Sequence, residues 1–474
     1  MLGLFGTLNM AARSLQTQMT GVEVAGQNLA NVNTPGYSRQ VVKIAASADI
    51  GTTVGAEGTG ASVTGIQQIV SSLLNAQIQT QGGTSGYWNA QQTILQNAQN
   101  GLDEFLNGSG ATPSASTTSS STTDSGLSGQ LTSLFNAFSS LAASPSTSSQ
   151  QAVIGAAQQL ATTFNQISGQ LGAAQTAANT TVSTDVASAN KLLTSIASLN
   201  KQIATAQFSG GTANDLLDQR EQALESLSAL TNITTSTGAN GAVNVNINGQ
   251  TLITGNTLTD TLQTYTGANG NLLVQTAGGG ADLTLTSGSI QGTIDARDGE
   301  LTTMQNQVDA FASNLISAVN TVHDSGYNSA GGNGNNFFTG TNAATIGVNS
   351  ALANNPGLIQ ISSSPTNGGD TSLALQLSQL AGTTQTALNS QTFGSYYDAT
   401  VAGLGNALSN ANTQVTNQTT VSNMLQTQLG SVSGVNTDEE MTNLMMFQRA
   451  YEASAQVVTT LNTMMGDTLA MKTS

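Results

Sequence analysis

The sequence predicts a mainly α chain with an inserted β domain: long terminal helices forming an axial coiled coil, a helical-bundle middle domain and a small outer β domain. Three observations carry this. Apolar residues repeat every seven positions at both ends of the chain. Long middle stretches keep a helical period, and residues 232–290 alternate instead. The expected division is 1–45 with 431–474 as axial core, 46–231 with 291–430 as helical middle domain, and 232–290 as outer β domain.

At the N-terminal end Leu8, Leu15, Val22 and Leu29 are spaced by seven, with Leu4, Ala11, Ala25 and Val32 in the complementary position and Gln18 as a polar break. As a helix, Leu4 to Val32 would run ~43 Å at ~1.5 Å per residue. A stripe that long and narrow needs a partner stripe.

The helix should stop at "LANVNTPGYSRQ". Thr34 precedes Pro35 and is pushed out of the α region, and Pro35-Gly36 suits the central pair of a type II turn. Tyr37 to Ile44 then leaves as an extended segment. Taken alone, the stretch reads equally well as an ordinary helix-to-strand turn.

Residues 66–107 and 127–230 are helical in period, as in Leu131, Leu134, Phe135, Phe138 and Leu141, then Leu192, Ile196, Leu199 and Ile203. A Ser/Thr tract from Pro113 to Asp124 reads as a flexible link. In 231–290, Val243, Val245 and Ile247 alternate, and Asn248-Gly249 marks a hairpin. Helical period returns at 294–324 and 371–430, with a Gly/Asn-rich loop from Ser325 to Asn336.

At the C-terminal end Leu444, Tyr451, Val458 and Met465 are again spaced by seven, with Phe447 and Leu461 complementary. Thr437 and Glu440 read as a capping box, and Asp438, Glu439 and Glu440 suit the positive end of the helix dipole. Two terminal heptad helices imply a chain that leaves an axial coiled coil and returns to it.

Composition narrows the function. Of 474 residues only 7% are charged, and the net charge is −16. Nucleic acid and anionic membrane surfaces are therefore disfavoured. With no cysteine, disulfides, zinc–thiolate sites and cysteine nucleophiles are excluded. Met1 to Asn9 is apolar but lacks a leading Lys or Arg, so it reads poorly as a cleavable signal. No apolar run approaches the ~18 residues of a membrane span.

Catalytic candidates are few. His323, the sole histidine, would have to carry any Ser-His-Asp triad. It sits at a helix C-terminus, where an imidazolium is mildly favoured, and a structural role outweighs a catalytic one. "NDLLDQREQALESL" concentrates Asp215, Asp218, Arg220, Glu221 and Glu225. Such carboxylates serve glycosidases, but Leu217, Leu224 and Leu227 share a face, which predicts that the charges are a solvated or intersubunit side. No catalytic, cofactor or metal site is expected.

The stretches "LANVNTPGYSRQ", "NDLLDQREQALESL" and "SGVNTDEEMTNLMMFQRAYEASAQVV" resemble the bacterial flagellar axial proteins, and within them the hook-associated junction proteins. "GLSGQLTSLFNAFSSLAASP" and "VNTVHDSGY…NNFFTG" extend the likeness over most of the chain. The resemblance implies a structural, non-enzymatic, self-assembling subunit of a tubular layer between hook and filament. It would be secreted through the flagellar type III export apparatus, and would be extracellular, at the hook–filament junction of the flagellum. Its implied partners are other copies of itself, the hook protein, a second hook-associated protein and a dedicated cytoplasmic chaperone at the C-terminal region, with no nucleic acid and no membrane insertion.

By this resemblance Asn31, Asn33, Pro35, Gly36 and Tyr37 carry the helix-ending turn, and Glu439, Glu440 and Tyr451 belong to the C-terminal core motif. Leu8, Leu15, Val22, Leu29, Leu444, Phe447, Tyr451, Val458, Leu461 and Met465 would line the axial interface. The family's further outer domain after "FF" is missing, and Gln68 and Gln150 stand where basic residues are common. A hook or distal rod protein is the alternative, disfavoured by the long helical block at 127–230. A secreted hydrolase or an adhesin fits less well.

Overall fold

Leu4–Ala30 forms α1, which runs antiparallel to the last helix, α11 (Thr437–Thr473). The computed structural model describes residues 3–52, 55–107, 126–280, 282–367 and 369–473, so the Ser/Thr tract from Pro113 to Asp124 lies outside the described residues.

After α1 the chain makes a β hairpin rather than entering the helical body. Strands β1 (Gln40–Ala46) and β4 (Ala61–Gln68) pair antiparallel, with a bulge at Lys43/Ile44 and a short β2 (Ile50–Thr52) and β3 (Gly55–Glu57) at the tip. The hairpin packs along α1. Residues 46–68, expected in the helical domain, are thus extended. The reason is local: Val41, Ala61, Val63 and similar β-branched or small residues alternate there without a helical stripe.

Helix α2 (Ser72–Asn107) is followed by α3 (Leu127–Ala143) and then by the 62-residue α4 (Thr147–Phe208), about 93 Å long at ~1.5 Å per residue. The N-terminus of α4 is fixed by a Ser146/Ser149 capping box. Its two halves serve different cores. Val153, Leu160, Phe164, Ile167 and Leu171 face a bundle with α3, α7 (Thr302–Asp324), α9 (Ser372–Gln379) and α10 (Phe393–Ser433). At its centre Phe311 meets Phe164 at 5.2 Å and Phe393 at 5.7 Å between ring centroids. Offset and edge contacts of this kind add about 0.5–1.5 kcal/mol each beyond area burial.

The second half of α4 presents Val182, Val186, Ala189, Leu193 and Ile196 to α5 (Asn214–Leu230) and to the β block. That block holds a four-stranded sheet in the order β5-β6-β7-β8: β5 (Thr234–Thr237), β6 (Val243–Ile247), β7 (Gln250–Thr254) and β8 (Thr257–Leu258). A hairpin of β9 (Leu262–Thr266) and β10 (Leu272–Thr276) completes it. Asn248 (φ 47°) and Gly249 (φ 79°) make the two-residue turn joining β6 to β7. Val245, Ile247, Leu252 and Ile253 are buried on α4, so the block has no separate core.

Helix α6 (Gly288–Asp295) passes through a π-helical turn, Ala296–Leu301, into α7. From Phe338 the chain forms a packed segment with β11 (Phe338–Thr339), β12 (Gly347–Val348) and α8 (Ser350–Asn354), burying Ile346, Leu352, Ile359 and Ile361 in the bundle. Helix α10 then returns antiparallel along α2: Leu74 and Ile78 meet Leu425 and Leu429. The expected helical period over 371–430 is broken between α9 and α10, where Asn389 (φ 55°) and Ser390 (φ 59°) turn the chain.

Candidate axial interface and its polar hub

Three contacts fix the register of the terminal helices. Asn28 reaches Glu440, Gly21 lies under the ring of Phe447, and Ser14 Oγ bonds Ser454 Oγ at 2.9 Å. Each step is seven residues on both helices, in opposite directions. The seam on α1 is therefore made of small and polar residues, with Ala11, Thr17, Val24 and Ala25 buried beside it. Small side chains bring the backbones close enough for the larger α11 residues to seat.

Leu8, Leu15, Val22 and Leu29 lie one position round from this seam and are half-buried. On α11, Leu444, Phe447, Val458, Leu461 and Met465 are half-buried on the inward side, whereas Tyr451 is exposed. The outward side carries exposed Met441, Met445, Met446 and Met464. Ser14, Gly21 and Asn28 escaped the sequence reading because it followed large apolar side chains. Their own spacing of seven was the available signal.

The helix-ending turn closes as the sequence requires. Tyr37 N donates to Thr34 O at 3.2 Å, and Gly36 takes φ 77°. Asn31 caps the end of α1 by donating its side-chain amide to Gln27 O, and it accepts from Thr34 Oγ1. Asn33 and Pro35 are exposed.

The turn delivers its following residues to a buried polar hub around Asn28, which is fully buried. Asn28 Nδ2 donates to Gln40 O (2.8 Å) and Glu440 Oε2 (3.0 Å), and Oδ1 accepts from Tyr37 OH and Gln40 N (both 2.9 Å). That fills the capacity of a carboxamide. Arg39 donates Nε to Glu440 Oε1 (2.8 Å) and Nη1 to Glu439 Oε2 (2.7 Å). Glu440 is 3% exposed and Glu439 56%, so the two bonds belong to different dielectric settings.

Glu440 is thus turned inward and does not complete a capping box. Asn436, not Thr437, caps α11: its Oδ1 accepts from Asp438 N at 3.0 Å. The stronger charged partner, Arg39, takes the carboxylate that a capping box would have used.

The middle motif closes the hub from the other side. Gln40 Nε2 donates to Asp215 Oδ1, Gln40 Oε1 accepts from Asn214 Nδ2, and Ser38 N donates to Asp218 Oδ2, each at 3.0 Å. Glu221 accepts from Gln79, and Arg220 donates to Asn200 Oδ1 and Gly241 O. The expectation of a solvated or intersubunit charged face is therefore corrected. Most of these charges are half-buried and bonded within the chain, because α5 packs on α2 and α4 and is bonded to the β1–β4 hairpin through Asn214 and Asp215.

Burial pushes the Tyr37 hydroxyl up to about 12, helped by Asp215, Asp218 and Glu440 nearby. Burial also raises the Asp218 carboxyl against the lowering effect of Ser38, and burial with Glu221 raises Glu225. Gln68, at a position where the resemblance would put a basic residue, is 3.5 Å from Asp218 through Nε2, and its buried Oε1 has no partner. Gln150 is buried at the start of α4.

His323 is fully enclosed at the end of α7. Nδ1 lies 2.7 Å from Asn335 O, and Nε2 accepts from Gln360 N at 3.0 Å, which fixes a neutral tautomer. Burial lowers its pKa to about 4, so the expected imidazolium does not form at neutral pH. Among the described residues no helix is long and apolar enough to cross a membrane. No group of three His, Cys, Asp or Glu among them is placed to hold a metal.

The middle and C-terminal motifs lie within stretches matched by known family models. The model described as the Flagellar hook-associated protein FlgK helical domain matches residues 116–338, and the Flagellar basal body rod FlgEFG protein C-terminal matches 425–471. The Flagellar hook-associated protein 1 of Bacillus subtilis is 27% identical over 510 residues, covering 97% of this chain and 96% of its own. That of Salmonella typhimurium is 24% identical over 571 residues, covering 96% and 98%. The flagellar hook junction protein FlgK from Burkholderia pseudomallei shares the fold, with a TM-score of 0.62 at 18% identity, covering 77% of this chain and 100% of that one.

Proposed function

The chain belongs to the flagellar hook-associated protein 1 family, and from that premise we propose how its geometry serves the hook–filament junction. It is a structural component of the flagellum. The observation that carries the reading is the hub at Asn28, where the three motifs of the resemblance meet. The first turn, the central helix and the start of the last helix hold one another, and so set the angle between the axial pair and the body.

In this reading copies assemble through the terminal helices. The flanking stripe of Leu8, Leu15, Val22 and Leu29, together with Tyr451 and the exposed methionines of α11, meets neighbouring copies. The hook protein lies on one side and a second hook-associated protein on the other, and a cytoplasmic chaperone holds the C-terminal region before export. The chain acts outside the cell, after unfolded passage through the flagellar export channel, and performs no catalysis. We keep the division into axial core, helical body and β block as the working domain map, with the β block sharing the core of α4.

Immunogold labelling of intact flagella with an antibody to the β block tests the position. Gold confined to the point where hook meets filament is the expected result. Gold along the filament, or absent from flagella, would overturn it.

A further inference from the structure

Sulfur is concentrated where the assembly reading places the copy-to-copy face. The chain has 11 methionines and no cysteine. Six of the methionines fall within the 37 residues of α11, far more than an even spread would place there. The side of α11 that packs on α1 is carried mainly by Leu444, Phe447, Val458 and Leu461. Met441, Met445, Met446 and Met464 lie away from it, each 50–56% exposed. Met304, on α7, is instead 3% exposed in the aromatic bundle.

A methionine thioether is oxidised by two electrons when a peroxide transfers one oxygen atom to it. The sulfur lone pair attacks the O–O bond, the sulfoxide forms, and the other oxygen leaves as water. The product is polar where the reactant was apolar and adaptable. With no thiol in the chain to intercept the oxidant, exposed thioethers are its readiest targets. The change costs the isolated chain little, because these side chains already meet solvent. It costs an assembled copy far more, because a sulfoxide pressed against an apolar neighbour loses its hydrogen bonds to water.

We propose that Met441, Met445, Met446 and Met464 form an oxidative modification site, at which a peroxide converts the unassembled chain into a folded copy that cannot join the junction. Copies already in place are shielded by their neighbours, so the oxidant disables incoming subunits and spares the finished structure. A sulfoxide reductase reverses the change: a dithiol supplies two electrons, becomes a disulfide, and the oxygen leaves as water. The proposal rests on the assembly reading above.

Purified chain treated with hydrogen peroxide tests it, with peptide mass spectrometry to locate the added oxygen. Sulfoxide should appear at the four α11 methionines and not at Met304, with thermal melting of the chain unchanged. Attachment of the treated chain to hooks from a strain lacking it, counted by electron microscopy, should fall roughly tenfold. Treatment with methionine sulfoxide reductase should restore it. The variant Met441→Leu/Met445→Leu/Met446→Leu/Met464→Leu keeps Met19 and Met424, exposed on α1 and α10. It should attach equally with or without peroxide, because leucine matches methionine in volume and does not oxidise. Treated parent attaching as well as untreated, a loss the reductase does not reverse, or a variant as peroxide-sensitive as the parent would each overturn the proposal. Intact flagella treated in the same way separate it from the reading beneath it. Unoxidised α11 methionines there support shielding by neighbours, whereas full oxidation would overturn the assembly reading itself.

Discussion

Gly21 lies directly beneath the aromatic ring of Phe447: a methyl group added at Gly21 would come within 2.6 Å of the ring. The two residues are the midpoint of the register that runs from Asn28–Glu440 to Ser14–Ser454. Replacing Gly21 by Val should force the helices apart at a cost of about 1–3 kcal/mol, the usual range for overpacking. Hydrogen exchange should quicken along α1 and α11 while protection in the aromatic bundle stays as it was. Unchanged protection of α1 would show that the ring moves aside freely.

Glu440 and Glu439 separate a buried ion pair from an exposed one at the same arginine. Glu440→Ala leaves Arg39 Nε and one of the two Asn28 amide bonds without an acceptor and should cost about 3 kcal/mol. Glu439→Ala should cost at most ~1 kcal/mol. Urea denaturation of the two variants measures the contrast, and equal losses would contradict the hub as described.

The pH dependence has a definite sign. His323 is neutral in the fold, with a pKa lowered to about 4 from 6.5, so the unfolded chain binds its proton first as pH falls. Its stabilising contribution is complete above pH ~6.5 and is lost progressively down to about pH 4, amounting to roughly 3 kcal/mol at ~1.4 kcal/mol per unit. Asp218 and Glu225, raised by burial, act oppositely: their contribution is present at low pH and lost as pH rises. Comparing stability between pH 4 and 7 for the parent and His323→Gln isolates the histidine. The parent should have the steeper rise with pH.

The β block is expected to be indispensable to the second half of α4. Deleting 235–288 in favour of a Gly/Ser linker would uncover Val182, Val186, Ala189, Leu193 and Ile196. It would also strip Asn200 of its bonds to Val243 and Gly255. The helical remainder should lose cooperative unfolding in circular dichroism. A sharp, parent-like transition would show that the helices pack without the block.

The large features were legible because they rest on periodicity. The terminal helices, the turn at Pro35-Gly36 and the Asn248-Gly249 hairpin each follow from local steric rules. What was not legible depends on contacts distant in sequence. The β1–β4 hairpin gains its place by packing on α1, and the β block shares its core with α4 rather than enclosing one. The charges of α5 looked solvated because their partners, Ser38, Gln40 and Gln79, are polar residues far away in the chain. The seam itself was read one position off, since Ser14, Gly21 and Asn28 carry no hydrophobic signal.

The central claim is that this chain joins hook to filament, and electron microscopy of a strain lacking it tests that most directly. Hooks ending without filaments, with filaments restored by supplying the chain, are the expected result. Filaments attached at normal length and number in its absence would contradict it.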